Sequence, residues 1–219
     1  MGSWQNPYKT EVETSGHSLI LDQPESGWQQ ADIKSFISTS KKYRALFLEF
    51  GSGSGQHLIA QAAANPTNFY LGVELRYKRC VRAAQKAALE GLENILFFRG
   101  DGVALIHSIE ENLLDGIFIL FPDPWEKPKW QKNRILQAKN LPLFLEKLKV
   151  GGTLHYRTDH AEYFSSAVSL LKSQSEWGLN YVTYDMLKSE YRELTLPSEF
   201  ELLFRSQQKP IHAIEVIKG

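Results

Sequence analysis

A chain of 219 residues with 42% hydrophobic content can bury one sizeable core, and no Pro-, Gly- or Ser-rich linker divides it, so one domain is expected. Its net charge of zero argues against an indiscriminate polyanion binder, and the absence of a long apolar run or a charged-then-apolar leader argues against a membrane span or secretion. The single cysteine, Cys80, excludes an internal disulfide framework, and six scattered histidines lack zinc-like spacing, so a cytoplasmic protein without a metal is expected.

Residues 1–42 read as an N-terminal extension, flexible in part: an irregular polar segment, Asn6 to Glu25, precedes a short amphipathic helix around Ala31 to Ser38. Strand and helix patterns then alternate. Apolar runs predict strands at Ala45 to Phe50, Phe69 to Val73, Ile95 to Arg99, Gly116 to Phe121 and Thr153 to Thr158. Helices are predicted at Gln56 to Ala64, Arg76 to Leu89, Ile135 to Leu148 and Ala161 to Leu171. Such alternation means an α/β fold with a doubly wound, mainly parallel sheet. The last apolar strands, near Leu179 to Tyr184 and His212 to Ile217, lack a clear helix of normal length between them and are expected to form an antiparallel end of the sheet.

The first strand runs into Glu49-Phe50-Gly51-Ser52-Gly53-Ser54-Gly55, a glycine turn facing a helix N-terminus. Without Cβ atoms, Gly51, Gly53 and Gly55 let the backbone approach a ligand while helix N–H groups point at it. A dinucleotide loop of the G-x-G-x-x-G kind keeps acids away from the pyrophosphate. Glu49 would repel a pyrophosphate, which counts against a nicotinamide cofactor, but suits the ammonium and sulfonium of S-adenosylmethionine. The next two strands end in Glu74 and in Gly100-Asp101, where carboxylates could accept from ribose hydroxyls and from an adenine amino group. Each alone reads as well as a surface acid or a helix cap. Three consecutive strand ends with acids at one edge favour the cofactor.

Charge is unevenly spread. Arg76, Lys78, Arg79, Arg82 and Lys86 fall within 11 residues without an acid, and Lys127, Lys129, Lys132 and Arg134 within 8, so these stretches hold nine of the 25 basic groups. Local basic patches on an otherwise acidic body are what selective phosphate binding requires. For the first patch, a solvated helix face is an equal reading. The second follows Phe121-Pro122-Asp123-Pro124-Trp125-Glu126-Lys127, where two prolines restrict the backbone around Asp123 and Trp125 offers a stacking face. A rigid carboxylate, an aromatic ring and cations make a site for an extruded purine.

These residues resemble the bacterial tRNA (guanine-N7)-methyltransferases from about Leu46 to the C-terminus. The resemblance rests on F-P-D-P-W-x-K, on Gly151-Gly152 leading to Thr158-Asp159, and on Ser198-Glu199-Phe200-Glu201 followed by Pro210-Ile211. It implies a Rossmann-like class I methyltransferase that uses S-adenosylmethionine and acts on tRNA, as a monomer or a homodimer. Glu49, Glu74, Asp101 and Asp123 would contact the cofactor or stand beside its methyl group, with Asp123 as the catalytic carboxylate. Lys127, Asp159 and the box from Ser198 to Glu201 would hold the guanosine. Pro128, Lys129, Trp130 and Asn133 interrupt the basic stretch usual in the family, and Trp130 offers stacking in place of a cation.

Overall fold

The computed structural model describes residues 6–15, 19–28, 30–190 and 196–219. Its strands are β1 (Ile20–Asp22), β2 (Leu46–Phe50), β3 (Phe69–Glu74), β4 (Ile95–Arg99), β5 (Leu114–Leu120), β6 (Leu148–Thr158), β7 (Trp177–Thr183) and β8 (His212–Lys218). The helices are α1 (Pro7–Ser15), α2 (Gln30–Ser40), α3 (Gln56–Ala64), α4 (Tyr77–Leu89), α5 (Gly102–His107), α6 (Leu141–Lys147), α7 (Ala161–Lys172) and α8 (Glu199–Ser206). The strands form one sheet in the order β1-β4-β3-β2-β5-β6-β8-β7. From β2 the chain moves outward through β3 and β4, then returns to pair β5 on the other side of β2. That reversal makes the carboxyl ends of β2 and β5 a topological switch point, where open α/β sheets bind ligands.

Strand alternation sends side chains to two layers. On one face Leu46, Leu48 and Phe50 join Ile117, Ile119 and Tyr156 under α2, α5, α6 and α7. On the other, Tyr70 and Phe97 pack with Leu58 and Ala62 of α3 and with Cys80, Val81, Ala83, Ala84 and Ala87 of α4. Alanines on the inner side of α4 let it approach closely, and its cations are left for the outer side.

The sheet has the expected antiparallel end: β8 is antiparallel to both β6 and β7, so it alone is reversed and β7 regains the direction of the other strands. Two expectations are corrected. The stretch expected to be irregular contains α1 and β1: Tyr8 and Val12, one turn apart, pack against the α4 layer, and Ile20 pairs Phe97 at the sheet edge. The helix expected from Ile135 begins at Leu141, because Pro142 fits only a first helical turn; deeper in a helix it would lack an N–H and clash with a preceding carbonyl.

Candidate active site

The glycine turn continues β2 and folds over the end of β3, with Gly51 and Ser52 N–H groups donating to Val73 O at 2.8 and 3.1 Å. Gly51, Gly53 and Gly55 all have positive φ, at +68°, +57° and +80°. Gly55 is doubly constrained, since a Cβ there would meet Ala83 Cβ of α4 at 2.9 Å. Glu74 braces the turn: its Oε2 accepts from Gly53 N–H at 3.1 Å and its Oε1 from Arg76 N–H at 2.8 Å. The buried carboxylate is thereby held at the loop, and an oxygen already bonded to an N–H keeps further acceptor capacity for a ligand hydroxyl.

Glu49 is also buried, and its Oε2 lies 2.6 Å from Nδ1 of His57, whose Nε2 meets Gln61 Nε2 at 3.2 Å. The sequence reading missed His57. Its position in the first turn of α3, just after the glycine loop, was the available signal, because that turn must lie over the end of β2. Phe118, in register with Glu49, sets its ring edge-on to the imidazole at 4.9 Å. Asp101 accepts from the Val103 and Ala104 N–H groups at 2.7 and 3.0 Å, so it caps α5 while remaining exposed. Its own N–H donates to Gln23 Oε1 at 2.8 Å, which draws the segment after β1 onto this corner.

The Phe121–Trp125 loop carries backbone strain. Phe121 and Trp125 have φ of +50° and +45°, a region bulky L-residues rarely adopt, at a cost of about 1–3 kcal/mol each. Surrounding contacts hold the loop there. Phe121 N–H donates to Arg157 O at 2.8 Å, and its ring packs against Phe204 and Phe200 at 5.4 and 6.3 Å. Arg134 Nε donates to Pro124 O at 2.7 Å while its guanidinium covers the Tyr163 ring at 4.5 Å. Arg134 is buried, so this cation fastens the loop rather than facing phosphate. Asp123, between the two strained residues, is exposed, as are Lys127, Lys129 and Lys132. Lys127 and Lys129 lie 4.8 and 5.3 Å from the Trp130 ring, whose edge meets Trp125.

Asp159 is exposed just beyond β6, and His160 caps α7, its Nδ1 accepting from Tyr163 N–H at 3.1 Å. The Ser198–Glu201 box starts α8, with Ser198 Oγ accepting from Glu201 N–H at 3.1 Å. Glu199 Oε2 accepts from Ser54 Oγ at 2.8 Å and so joins α8 to the glycine loop. Glu201 is fully buried, 2.7 Å from Nη1 of the equally buried Arg157 and paired also with Arg205. That places its carboxylate in an internal ion triad, whereas the resemblance had it hold the guanosine.

One open cleft brings together Glu49, Gly51, Gly53, Ser198, Glu199 and Phe200 with Gln56, His57 and Leu120. Glu74, Asp101, Asp123, Lys127 and Asp159 do not line it; Glu74 closes β3 and the others stand beyond the ends of β4 to β6, along the same edge of the sheet. The acceptor set fits a ligand with an ammonium, a sulfonium and a ribose, since Glu49 and Glu74 supply fixed carboxylates at a loop that is open above Gly51. Among the described residues no group of three or more potential metal ligands occurs, and no helix is long and apolar enough to cross a membrane.

A family of proteins described as "Putative methyltransferase" matches residues 43–214. A bifunctional glycosyltransferase/methyltransferase of Fusobacterium nucleatum is 36% identical over 78% of this chain, which spans 27% of that longer protein. Rickettsia felis has a bifunctional methyltransferase, 34% identical, of which the chain covers 31%. A tRNA (guanine-N(7)-)-methyltransferase of Francisella philomiragia is 33% identical over 82% of this chain and 77% of its own length. Among solved structures, an antibiotic-related methyltransferase and the 16S rRNA methyltransferase KamB each superpose with a TM-score of 0.59. They cover 88% and 85% of this chain and 94% of their own chains, at 17% and 16% identity, a likeness of fold. With the family match over most of its length and a close relative of similar size, the chain belongs to the tRNA (guanine-N7)-methyltransferase family, within the class I, S-adenosylmethionine-dependent methyltransferases.

Proposed function

We propose that this protein transfers a methyl group from S-adenosylmethionine to N7 of a guanine in tRNA, at variable-loop position 46 by family resemblance, forming 7-methylguanosine. The observation that carries this reading is the strained loop that presents Asp123 on the same sheet edge as the glycine-loop cleft. In this reading residues 1–219 act as one cytoplasmic methyltransferase unit, as a monomer or a homodimer, without metal.

Gly51, Gly53 and Gly55 hold the backbone against the cofactor, Glu49 faces its ammonium, Glu74 its ribose and Asp101 its adenine. Bound there, the cofactor supplies an electrophilic sulfonium methyl. Guanine N7 keeps an in-plane lone pair in the neutral base, so no residue need remove a proton before attack, and catalysis rests on alignment and electrostatics. Methylation leaves positive charge on the imidazole ring, and Asp123 stabilises that charge more than the neutral ground state. Asp159, with Ser198, Glu199 and Phe200 of the cleft wall, positions the base, and Lys127 meets an adjacent phosphate. Glu201, held in the buried triad, fastens α8 in this reading.

Incubating the purified chain with unmodified tRNA and S-adenosylmethionine, followed by nucleoside analysis, tests the proposal. 7-Methylguanosine mapped to the variable loop supports it. Methyl groups on an exocyclic amine, or no methylation, would overturn it.

A further inference from the structure

We propose that the outer face of α4 is a second contact for the RNA backbone, separate from the lysines that follow Trp125; the proposal rests on the tRNA reading above. Lys78, Arg82 and Lys86 recur every four residues and therefore form one stripe along the helix, with Arg76 and Arg79 beside its start. Arg76, Lys78, Arg82 and Lys86 are exposed, and among the described residues none of the five makes an ion pair with a carboxylate.

A solvated face that served only the fold would alternate acids with these cations. Instead, like charges four apart destabilise a helix by about 0.2–0.5 kcal/mol per pair. The first turn also holds no acid, so its cations oppose the helix dipole. The neighbouring α1 touches the stripe through Tyr8, whose ring lies 5.9 Å from Lys78 Nζ; its Glu13 pairs with Lys9 at 3.6 Å, and its Glu11, which accepts from the neutral Gln85 at 2.8 Å, offsets only part of the positive charge.

Position links the stripe to the cleft. Lys86 Nζ lies 3.3 Å from both Ser54 O and Ser54 Oγ, and that hydroxyl donates to Glu199 on the cleft wall. Arg79 Nη1 would lie 3.6 Å from a Cβ on Gly53. The cations thus flank the glycine loop, and the stripe from Lys78 to Lys86 runs for about 12 Å, comparable with two nucleotides of extended strand. An RNA whose guanine enters the cleft would pass its neighbouring phosphates over this face, so the occupant is the tRNA backbone beside the target nucleotide.

The test uses K78A/R82A, which leaves Arg79 and Lys86 in place at the glycine loop. Binding of unmodified tRNA is measured over a salt series, and S-adenosylhomocysteine affinity by calorimetry. If both side chains meet phosphates, the log–log salt slope falls by about 1.4–1.8 units, since each contact contributes about 0.7–0.9. Affinity at low salt falls about tenfold or more, cofactor-product affinity is retained, and K78R/R82K keeps the wild-type slope. A wild-type slope in K78A/R82A with cofactor-product binding intact overturns the proposal. Wild-type protein that neither binds nor methylates unmodified tRNA overturns the tRNA reading itself, a separate failure.

Discussion

Replacing Glu201 by alanine distinguishes a buried structural carboxylate from one that grips the substrate. In the folded protein Glu201 is 0% and Arg157 1% exposed, and their charges meet at 2.7 Å. The second oxygen is taken by Arg205, which is partly exposed and can turn toward water. Arg157 has no such escape. Its guanidinium lies in the sheet layer beneath α8, and its Nε has no hydrogen-bond partner even with Glu201 present. Loss of Glu201 therefore leaves a buried cation without its anion, a change that costs about 3–5 kcal/mol. For a chain of this size each kcal/mol lowers Tm by about 2–4 °C, so E201A is expected to melt roughly 6–20 °C below wild type. Urea unfolding followed by far-UV circular dichroism measures the loss directly. As a comparison on the same helix, E199A removes only an exposed hydrogen bond to Ser54 and should change stability by less than about 1 kcal/mol. An E201A variant with wild-type stability and abolished tRNA binding would refute the reasoning and return this carboxylate to the guanosine.

Asp123→Asn keeps the flanking prolines but removes the charge that opposes the developing guaninium, so single-turnover methylation with saturating tRNA and cofactor should slow by about 10²-fold, or about 3 kcal/mol; a rate within a few-fold of wild type would move the role to Asp159. Glu74→Ala removes the brace on Gly53 and, on the proposed reading, a ribose acceptor, and calorimetry should find S-adenosylhomocysteine binding weaker by about 1–3 kcal/mol. Replacing Lys129 and Lys132 by alanine should weaken tRNA binding and reduce its salt slope while cofactor affinity is unchanged; a salt-insensitive interaction would exclude phosphate contact. Burial, with Glu74 nearby, pushes the Cys80 thiol up to about 12, so a thiol reagent at pH 8 should leave the native protein unlabelled and react once urea unfolds it; rapid native labelling would contradict its packing between α4 and the sheet.

Much of the fold was legible because its signals are local. An apolar run followed by a glycine turn marks the end of β2 wherever the rest of the chain goes, and the same holds for the acids that close β3 and β4. Prolines around Asp123 announced a stiff loop, though the left-handed backbone at Phe121 and Trp125 comes from packing on Phe204 and Arg134. Weak local signals failed where distant contacts decided the outcome. α1 and β1 show no strong periodicity, and they hold their places because the α4 layer and the edge of β4 receive them. The shortened α6 was readable in principle, since Pro142 fits only a first turn.

By itself, the sequence determined which chemical groups are present and at which strand ends they stand: the glycines, Glu49, Glu74, Asp101 and Asp123 all follow from residue type and periodicity. Only the tertiary structure decided which charges are free to meet a ligand. Glu201 is claimed by Arg157, 44 positions away, Arg134 turns inward onto Pro124 and Tyr163, and Glu49 acquires His57, while among the described residues the α4 cations pair with no carboxylate. The physical reason is that a charge is buried or exposed according to whether the folded chain brings it an opposite charge or hydrogen-bond partners, and that pairing is set by three-dimensional packing rather than by neighbours along the chain.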